Sequence, residues 1–357
     1  MSSEISVCQV SGYYGYGGIS KFVEDLSSKL AAKFDVTFVC RRVIREPENG
    51  LNLIELKPRN TFDYWSKLRK LSRNFDIMHC HDVYALPGLV KNKGKGKIIY
   101  TIPGIVPLKY TKLRDIPGTI FAHLCANYAT PKVDMAVGIS DYMVAELKER
   151  YKCQNIVKIY YGLDIKKFHS VDNNTQSKLK MGYPMLFWAA VLEWHKGISF
   201  LIESMPHILE EFPEASLVLA GSGRDEKIFK ERVRKIGLEK KVIFLGYLQN
   251  LVPYFNAADI VVVPSYWESF CLPIVEGMAC GKPVIARDAY SNREHIINSR
   301  AGILFKRDDP EELVCAIREI MDNYEKYSSN ARKYAEKFDL SIIAAEYVNV
   351  YTELLEE

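Results

Sequence analysis

Short apolar runs separated by polar, glycine-bearing joints recur along the whole chain. Runs near 4–10, 35–40, 51–55, 75–80, 97–101, 133–138 and 156–160 are too short for buried helices. They are continuous enough for strands covered on both faces. Stretches of helical periodicity lie between them, one reaching about Lys33 and another covering 61–73. Strands alternating with helices predict a parallel sheet flanked by helices. A polar stretch, 170–177, interrupts the alternation, which then restarts with apolar runs at 185–190, 216–220, 242–246, 259–264, 284–286 and 302–305. Helices are expected near 291–297 and from Asp309 onward, and one long helical stretch from about Ser328 to Leu355. The chain therefore reads as α/β, two doubly wound parallel-sheet domains: 1–168, a linker 169–178, and 179–335. A last helical segment, 336–357, is long enough to cross back to the first domain.

Composition narrows the class. At 357 residues, 48% apolar and 26% charged, two cores are the natural expectation and disorder is excluded. No apolar run approaches the about 20 residues that span a bilayer, and the polar start is no signal peptide, so a cytoplasmic protein is expected. The eight cysteines include no C-x-x-C pair and mostly sit in apolar elements, which suggests buried thiols rather than a zinc or disulfide framework. His79 and His81 share one strand face, but no third ligand stands near them in sequence, so no metal site is expected.

Net charge is +4, unevenly spread: residues 1–178 carry 27 Lys+Arg against 17 Asp+Glu, and the remainder 21 against 27. A basic first half suits something anionic, a membrane surface or a phosphate-bearing substrate, and equally suits a solvated surface. No nucleic-acid signature accompanies it. The helix 61–73 carries Phe62, Trp65, Leu68 and Leu71 on one face with Lys67, Arg69, Lys70 and Arg73 elsewhere, and a second basic run covers 91–97. Such a helix either packs on the sheet or lies in a bilayer interface.

The candidate chemistry concentrates at 264–276. The run 259–264 ends as a strand, Pro273 suits the first turn of a helix, and Gly281 with Pro283 closes that helix. Glu268 then lies on the loop and Glu276 near the helix start, both at the carboxyl end of a parallel strand, where open α/β sheets bind ligands. Backbone amides from Ser269 to Ile274, with Phe270, Cys271 and Leu272 between, would face the same place. Carboxylates accept hydrogen bonds from sugar hydroxyls while amides hold phosphates, so the pair suits a sugar nucleotide. Glycine-rich 11–18 offers a second phosphate-binding opening. The next strand, however, ends in Cys40-Arg41-Arg42, without the acid that holds an adenosine ribose; this disfavours NAD and leaves NADP a minor alternative.

Glu268 and Glu276, with seven residues between, resemble the E-x7-E signature of the retaining glycosyltransferases of the GT-B fold, glycosyltransferase family 4 or group 1. The resemblance covers nearly the whole chain and is most detailed over 156–305. It implies two Rossmann-like domains facing a central cleft, with the acceptor on the first and a UDP-, GDP- or ADP-sugar on the second. It implies that Glu276 holds ribose hydroxyls, Glu268 contacts the donor sugar, and Lys196 with the 269–272 amides neutralises the departing diphosphate. Gly17 and Gly18 match the family's Gly-Gly loop, Gly221 its close-approach loop, Tyr247 and Leu248 the seat of the base, and His81 a strand-end histidine beside the cleft. Gly162, Asp164 and Phe168 match the inter-domain text.

Two positions depart from the family: Val191 replaces an arginine that partners Lys196, and Pro103 replaces a histidine. Arg224 or Arg287 could supply the missing cation, a surface salt bridge being the alternative for each. No Asp-x-Asp occurs, in keeping with a mechanism that needs no cofactor and no divalent metal. The resemblance implies a transferase, and the basic first half leads us to expect a glycan or lipid-linked acceptor at the cytoplasmic membrane face, with the protein cytoplasmic or peripheral there. A non-catalytic nucleotide-sugar-binding partner subunit and a GT-B sugar-nucleotide epimerase are the alternatives.

Overall fold

The computed structural model describes residues 5–15, 17–46, 50–91, 94–168 and 178–356. They form two units, Met1–Leu163 with Phe338–Glu357, and Asp164–Lys337. The expected linker lies, except for Lys178, outside the described residues.

In the first unit β1 (Ser6–Tyr14), β2 (Asp35–Val43), β3 (Asn52–Glu55), β4 (Ile77–Cys80), β5 (Lys97–Ile102), β6 (Met135–Gly138) and β7 (Ile156–Lys158) make one parallel sheet. Its order is β3-β2-β1-β4-β5-β6-β7. The connections hold α1 (Gly17–Leu30), α2 (Thr61–Leu71), α3 (Leu86–Val90), α4 (Ile116–Ala129) and α5 (Asp141–Ala145). Strand order reverses between β1 and β4, which opens a crevice at their carboxyl ends. β1 runs past the expected residue 10 into the glycine-rich segment, pairing Tyr13 with Arg42 and Tyr14 with Val43. Tyr14 explains this: its ring is buried edge-on against Phe38, at 5.1 Å between centroids, so the chain gains more in the sheet than in a loop.

α2 buries Tyr64 and Leu68; of the stripe expected from sequence Leu68 is fully buried, Trp65 and Leu71 are half-buried and Phe62 is not buried. Phe62 is 77% exposed, while the Trp65 indole N–H donates to Tyr84 O at 2.7 Å. The Tyr64 hydroxyl bonds Asp82 at 3.1 Å, a partner that a hydropathy pattern does not show.

In the second unit β8 (Met185–Ala189), β9 (Ser216–Ala220), β10 (Val242–Gly246), β11 (Ile260–Val263), β12 (Val284–Arg287) and β13 (Gly302–Phe305) pair in parallel, in the order β10-β9-β8-β11-β12-β13. Every residue of β8, β9, β11 and β12 is buried, as their unbroken apolar text requires. The helices are α6 (Ile198–Glu211), α7 (Glu226–Lys235), α8 (Val252–Ala257), α9 (Leu272–Ala279), α10 (Tyr290–Ser299), α11 (Pro310–Asp322) and α12 (Tyr324–Ala335). Here the order reverses between β8 and β11.

The long terminal helix expected from about Ser328 is two helices. α12 ends in a tight turn, Glu336–Phe338, before α13 (Leu340–Glu356). The break forms because Leu163 inserts as a strand residue: its N–H donates to Phe338 O at 2.9 Å, and Leu340 N–H donates back to Leu163 O at 3.0 Å. α13 belongs to the first unit and buries Tyr347 and Tyr351 there.

Candidate active site

At the strand-order reversal of the second unit, the loop after β8 is tied on two sides. Leu192 N–H donates to Ser222 O at 3.0 Å and Trp194 N–H to the Asp225 carboxylate at 2.9 Å, while His195 O accepts from Tyr266 N–H at 2.9 Å. Gly197 then turns the chain into α6 with φ of 71°, packed so closely on Pro264 that a Cβ would strike its carbonyl oxygen. This arrangement aims Lys196 across to the loop after β11, where its ammonium meets Glu268 Oε1 at 2.7 Å, both side chains largely buried.

The β11–α9 loop is held from behind by α10. Ser291 Oγ donates to Glu268 O at 3.1 Å, and His295 Nε2 lies 2.7 Å from Phe270 O. A carbonyl only accepts, so His295 carries its proton on Nε2. Sequence reasoning does not single out Ser291 or His295; both are wholly buried polar residues on α10. Cys271, just before α9, sits in the left-handed region at φ 67°, a strained place for a residue with a side chain. Burial raises its thiol pKa far above the ordinary value, so it is no nucleophile. Glu268, Lys196 and Glu276 all lie within electrostatic range of this thiol.

Glu276 differs from its neighbours. Burial pushes its carboxyl up to about 7, and among the described residues it has no hydrogen-bond or ion-pair partner. The amides of Cys271 and Leu272 likewise donate to no described acceptor. The amide cradle is narrower than expected, since Pro273 has no N–H and Ile274 N–H closes on Cys271 O at 3.0 Å. The result is a desolvated acceptor beside free donors and one ammonium.

Gly221, at φ 127°, lies against the Ala190 carbonyl, and its N–H donates to Gly246 O at 2.7 Å; its close approach is to the protein's own backbone. Tyr247 and Leu248 follow β10, Tyr247 57% exposed. Arg287 is not a surface salt bridge: it is 7% exposed, bonded to Asp308 and to Pro264 O, with Tyr266 4.3 Å beneath its guanidinium. It is thereby committed to the protein and unavailable for a diphosphate. Arg224 is exposed, and Val191 is 48% exposed.

The corresponding point in the first unit is closed by its own side chains. Gly17 and Gly18 open α1 on the surface. The preceding Gly15 N–H, however, donates to Glu24 at 2.8 Å, and Arg45 pairs with the same carboxylate at 3.1 Å. The Gly15 amide is thus taken by the protein's own carboxylate and is not offered to a phosphate, which speaks against the NADP alternative there. The two imidazoles, expected at the open end of β4, are buried: His79 lies between Tyr351 (2.6 Å) and Thr101 (2.7 Å), and Thr101 meets Tyr347 at 3.1 Å. His81 Nε2 meets Gln9 at 2.9 Å, and Gln9 donates to Tyr351 at 2.8 Å. Burial lowers the His81 pKa to about 3, so the ring is neutral; its Nδ1 is the one ring nitrogen of this cluster without a partner. Pro103 lies just beyond β5, half-buried.

Among the described residues, no group of three His, Cys, Asp or Glu could hold a metal, and no helix is long and apolar enough to cross a membrane. With this geometry set out, the comparisons are informative. The family model "Glycosyltransferase Family 4" matches residues 16–167, and "Glycosyl transferases group 1" matches 171–338. An uncharacterized glycosyltransferase of Methanocaldococcus jannaschii is 28% identical over 370 residues, covering 98% of this chain and 99% of that one. A second from the same organism is 34% identical over 173 residues, covering 47% of this chain and 44% of its own length. Among solved structures, Anabaena HepE in complex with UDP-glucose superposes with a TM-score of 0.82 at 19% identity, covering 98% and 100% of the two chains.

Proposed function

From its membership of the group 1 and family 4 glycosyltransferases of the GT-B fold, we propose that this chain moves a sugar from a nucleoside-diphosphate sugar to an acceptor hydroxyl with retention of configuration. The observation that carries the donor assignment is the Glu276 carboxylate, desolvated and unpartnered beside the free amides of Cys271 and Leu272. Ribose hydroxyls would donate to Glu276, and the diphosphate would lie on the amides and on Lys196. Glu268, braced by Lys196 and Ser291, would meet the donor sugar.

The anomeric carbon to phosphate-oxygen bond breaks as Lys196 and the amides stabilise the charge growing on the diphosphate. The acceptor oxygen bonds to the anomeric carbon from the same face, and its proton passes to the departing phosphate oxygen, so no protein base is required. No cofactor or metal takes part in this scheme. His81, neutral and braced by Gln9, serves as a hydrogen-bond partner to substrate through Nδ1 and not as an acid. Gly17 and Gly18 lie beside the acceptor, with Gly221, Tyr247 and Leu248 shaping the base end of the donor site.

The acceptor is a glycan or a lipid-linked glycan at a membrane face, in keeping with the basic first half. UDP-glucose is the first donor to try, since HepE is seen with it. The test is product analysis by NMR with the purified chain and UDP-, GDP- and ADP-sugars, with and without lipid-linked acceptors. An acceptor-dependent product with the donor's anomeric configuration is expected. An epimerised sugar nucleotide formed without acceptor overturns the assignment, and so does turnover that appears only when a second subunit is added.

A further inference from the structure

The donor crevice opens at the carboxyl ends of β8 and β11. At the opposite, amino ends of β8, β11 and β12, cations outnumber the acid that could answer them. Lys180 precedes β8, Asp259 stands directly before β11, and Lys282 precedes β12. Asp259 is fully committed: one carboxylate oxygen accepts from the Lys180 ammonium and the other from Met185 N–H at 2.6 Å. Lys282, half-buried, has no hydrogen bond or ion pair from its side chain among the described residues. Burial lowers its pKa from the ordinary lysine value, and the charges of Lys180 and Arg332 push the same way against the pull of Asp259.

α12 packs on α9 and brings further donors to this end. Tyr324, Ser328 and Arg332, spaced i, i+4 and i+8, share one face of α12. That face meets the residue beside Lys282: a Cβ on Gly281 would lie 2.9 Å from an Arg332 terminal nitrogen and 3.4 Å from Ser328 Oγ. None of these three side chains has a hydrogen-bond or ion-pair partner among the described residues.

We infer that Lys282, Arg332 and Lys180 hold a phosphate dianion, free or as a monoester, at the amino end of the second sheet, with the Tyr324 and Ser328 hydroxyls donating beside them. Charge and the count of donors select this ligand. Three cations share one carboxylate whose oxygens are both taken, so an anion of about two charges completes the balance. Its several acceptor oxygens also match a set of ammonium, guanidinium and hydroxyl donors, where a single carboxylate would leave some unanswered. The inference rests on no part of the donor assignment, which concerns the other end of the same strands.

The test is a thermal-shift titration of the full chain with inorganic phosphate and with glycerol 3-phosphate, at ionic strength matched with sodium chloride. A saturable rise in melting temperature is expected, and the probe that binds more tightly identifies the source the site takes. Lys282→Met should weaken that binding about tenfold or more. Without phosphate it should melt no lower than the parent, because it removes a half-buried charge that has no partner. Arg332→Gln, at an exposed position that folding tolerates, should weaken binding severalfold. Lys196→Ala controls for phosphate entering the donor crevice: it should keep the response that Lys282→Met loses. The reverse pattern overturns the inference, as does an equal response in the parent, Lys282→Met and Arg332→Gln, or a rise no larger than chloride alone produces. A UDP titration of the parent in the same assay reads the donor assignment, so the failure of one is separable from the failure of the other.

Discussion

The two strand-order reversals share one parallel topology and dispose of their polar groups in opposite ways. At β1/β4 nearly every donor and acceptor is answered from within: Glu24 takes the Gly15 amide, and Gln9, His79, Thr101, Tyr347 and Tyr351 bond one another. At β8/β11 the polar groups outnumber their partners, leaving Glu276 and two amides unanswered around the Lys196–Glu268 pair. A half-buried polar group without a partner among the described residues, as Glu276 is, is open to one from outside the chain. One crevice is therefore mainly structural, fastening α13 through its tyrosines with His81 Nδ1 left unpartnered among the described residues, and the other is held ready for the donor.

The sharpest way to break this contrast is at Lys196. Lys196→Ala should lower turnover by about 10²–10³, because it removes the cation facing the leaving group and leaves the Glu268 charge uncompensated. Steady-state kinetics with separately measured nucleotide affinity checks it; an unchanged turnover number would remove Lys196 from the mechanism. In the closed crevice the expected effect is on stability instead. Tyr351→Phe strips the partner from His79 Nδ1 and from the Gln9 amide, and should cost about 1–3 kcal/mol of unfolding free energy. Denaturant melts measure that cost, and nucleotide affinity should stay as it was.

How much of this contrast could be read from the chain itself varies by element. Strand positions such as 216–220, 242–246 and 302–305 coincide with β9, β10 and β13, because a strand buried on both faces writes itself as a short apolar run. The glutamate pair is legible from its place at a strand end, and Lys196 through the family resemblance. Ser291, His295 and Glu24 are not legible, since each acts by bonding a backbone group remote in sequence. The break between α12 and α13 was equally hidden: periodicity runs on through it, and only the pairing of Leu163 with 338–340 interrupts it. Arg287 looked like a surface cation, but its burial is decided by Tyr266 and Asp308 folding over it.

A smaller, graded effect is expected from pH, where one cause, burial, acts in opposite directions in the two crevices. Glu276 has its pKa raised from 4.5 to about 7, so ionising it costs the fold stability above pH 4.5, fully so above about 7. Donor hydroxyls need the ionised form, so nucleotide affinity should rise severalfold as pH goes from about 6 to 8. Glu276→Gln should flatten that profile in calorimetric titrations. His81 is lowered from 6.5 to about 3, so the unfolded chain takes up a proton below pH 6.5 that the fold refuses. Stability of the first unit is therefore full above pH 6.5 and falls as the medium is acidified toward about 3.

The most direct test of the central claim, that the unanswered groups at β8/β11 form the donor site, is a thermal-shift titration of the parent chain and of Glu276→Ala against UDP, GDP, ADP and their sugar conjugates. At a hundred times its dissociation constant a ligand stabilises by about 2.7 kcal/mol, enough to move a melting curve. One nucleotide class should shift the parent and leave Glu276→Ala unmoved. A shift of equal size in both proteins would contradict the account.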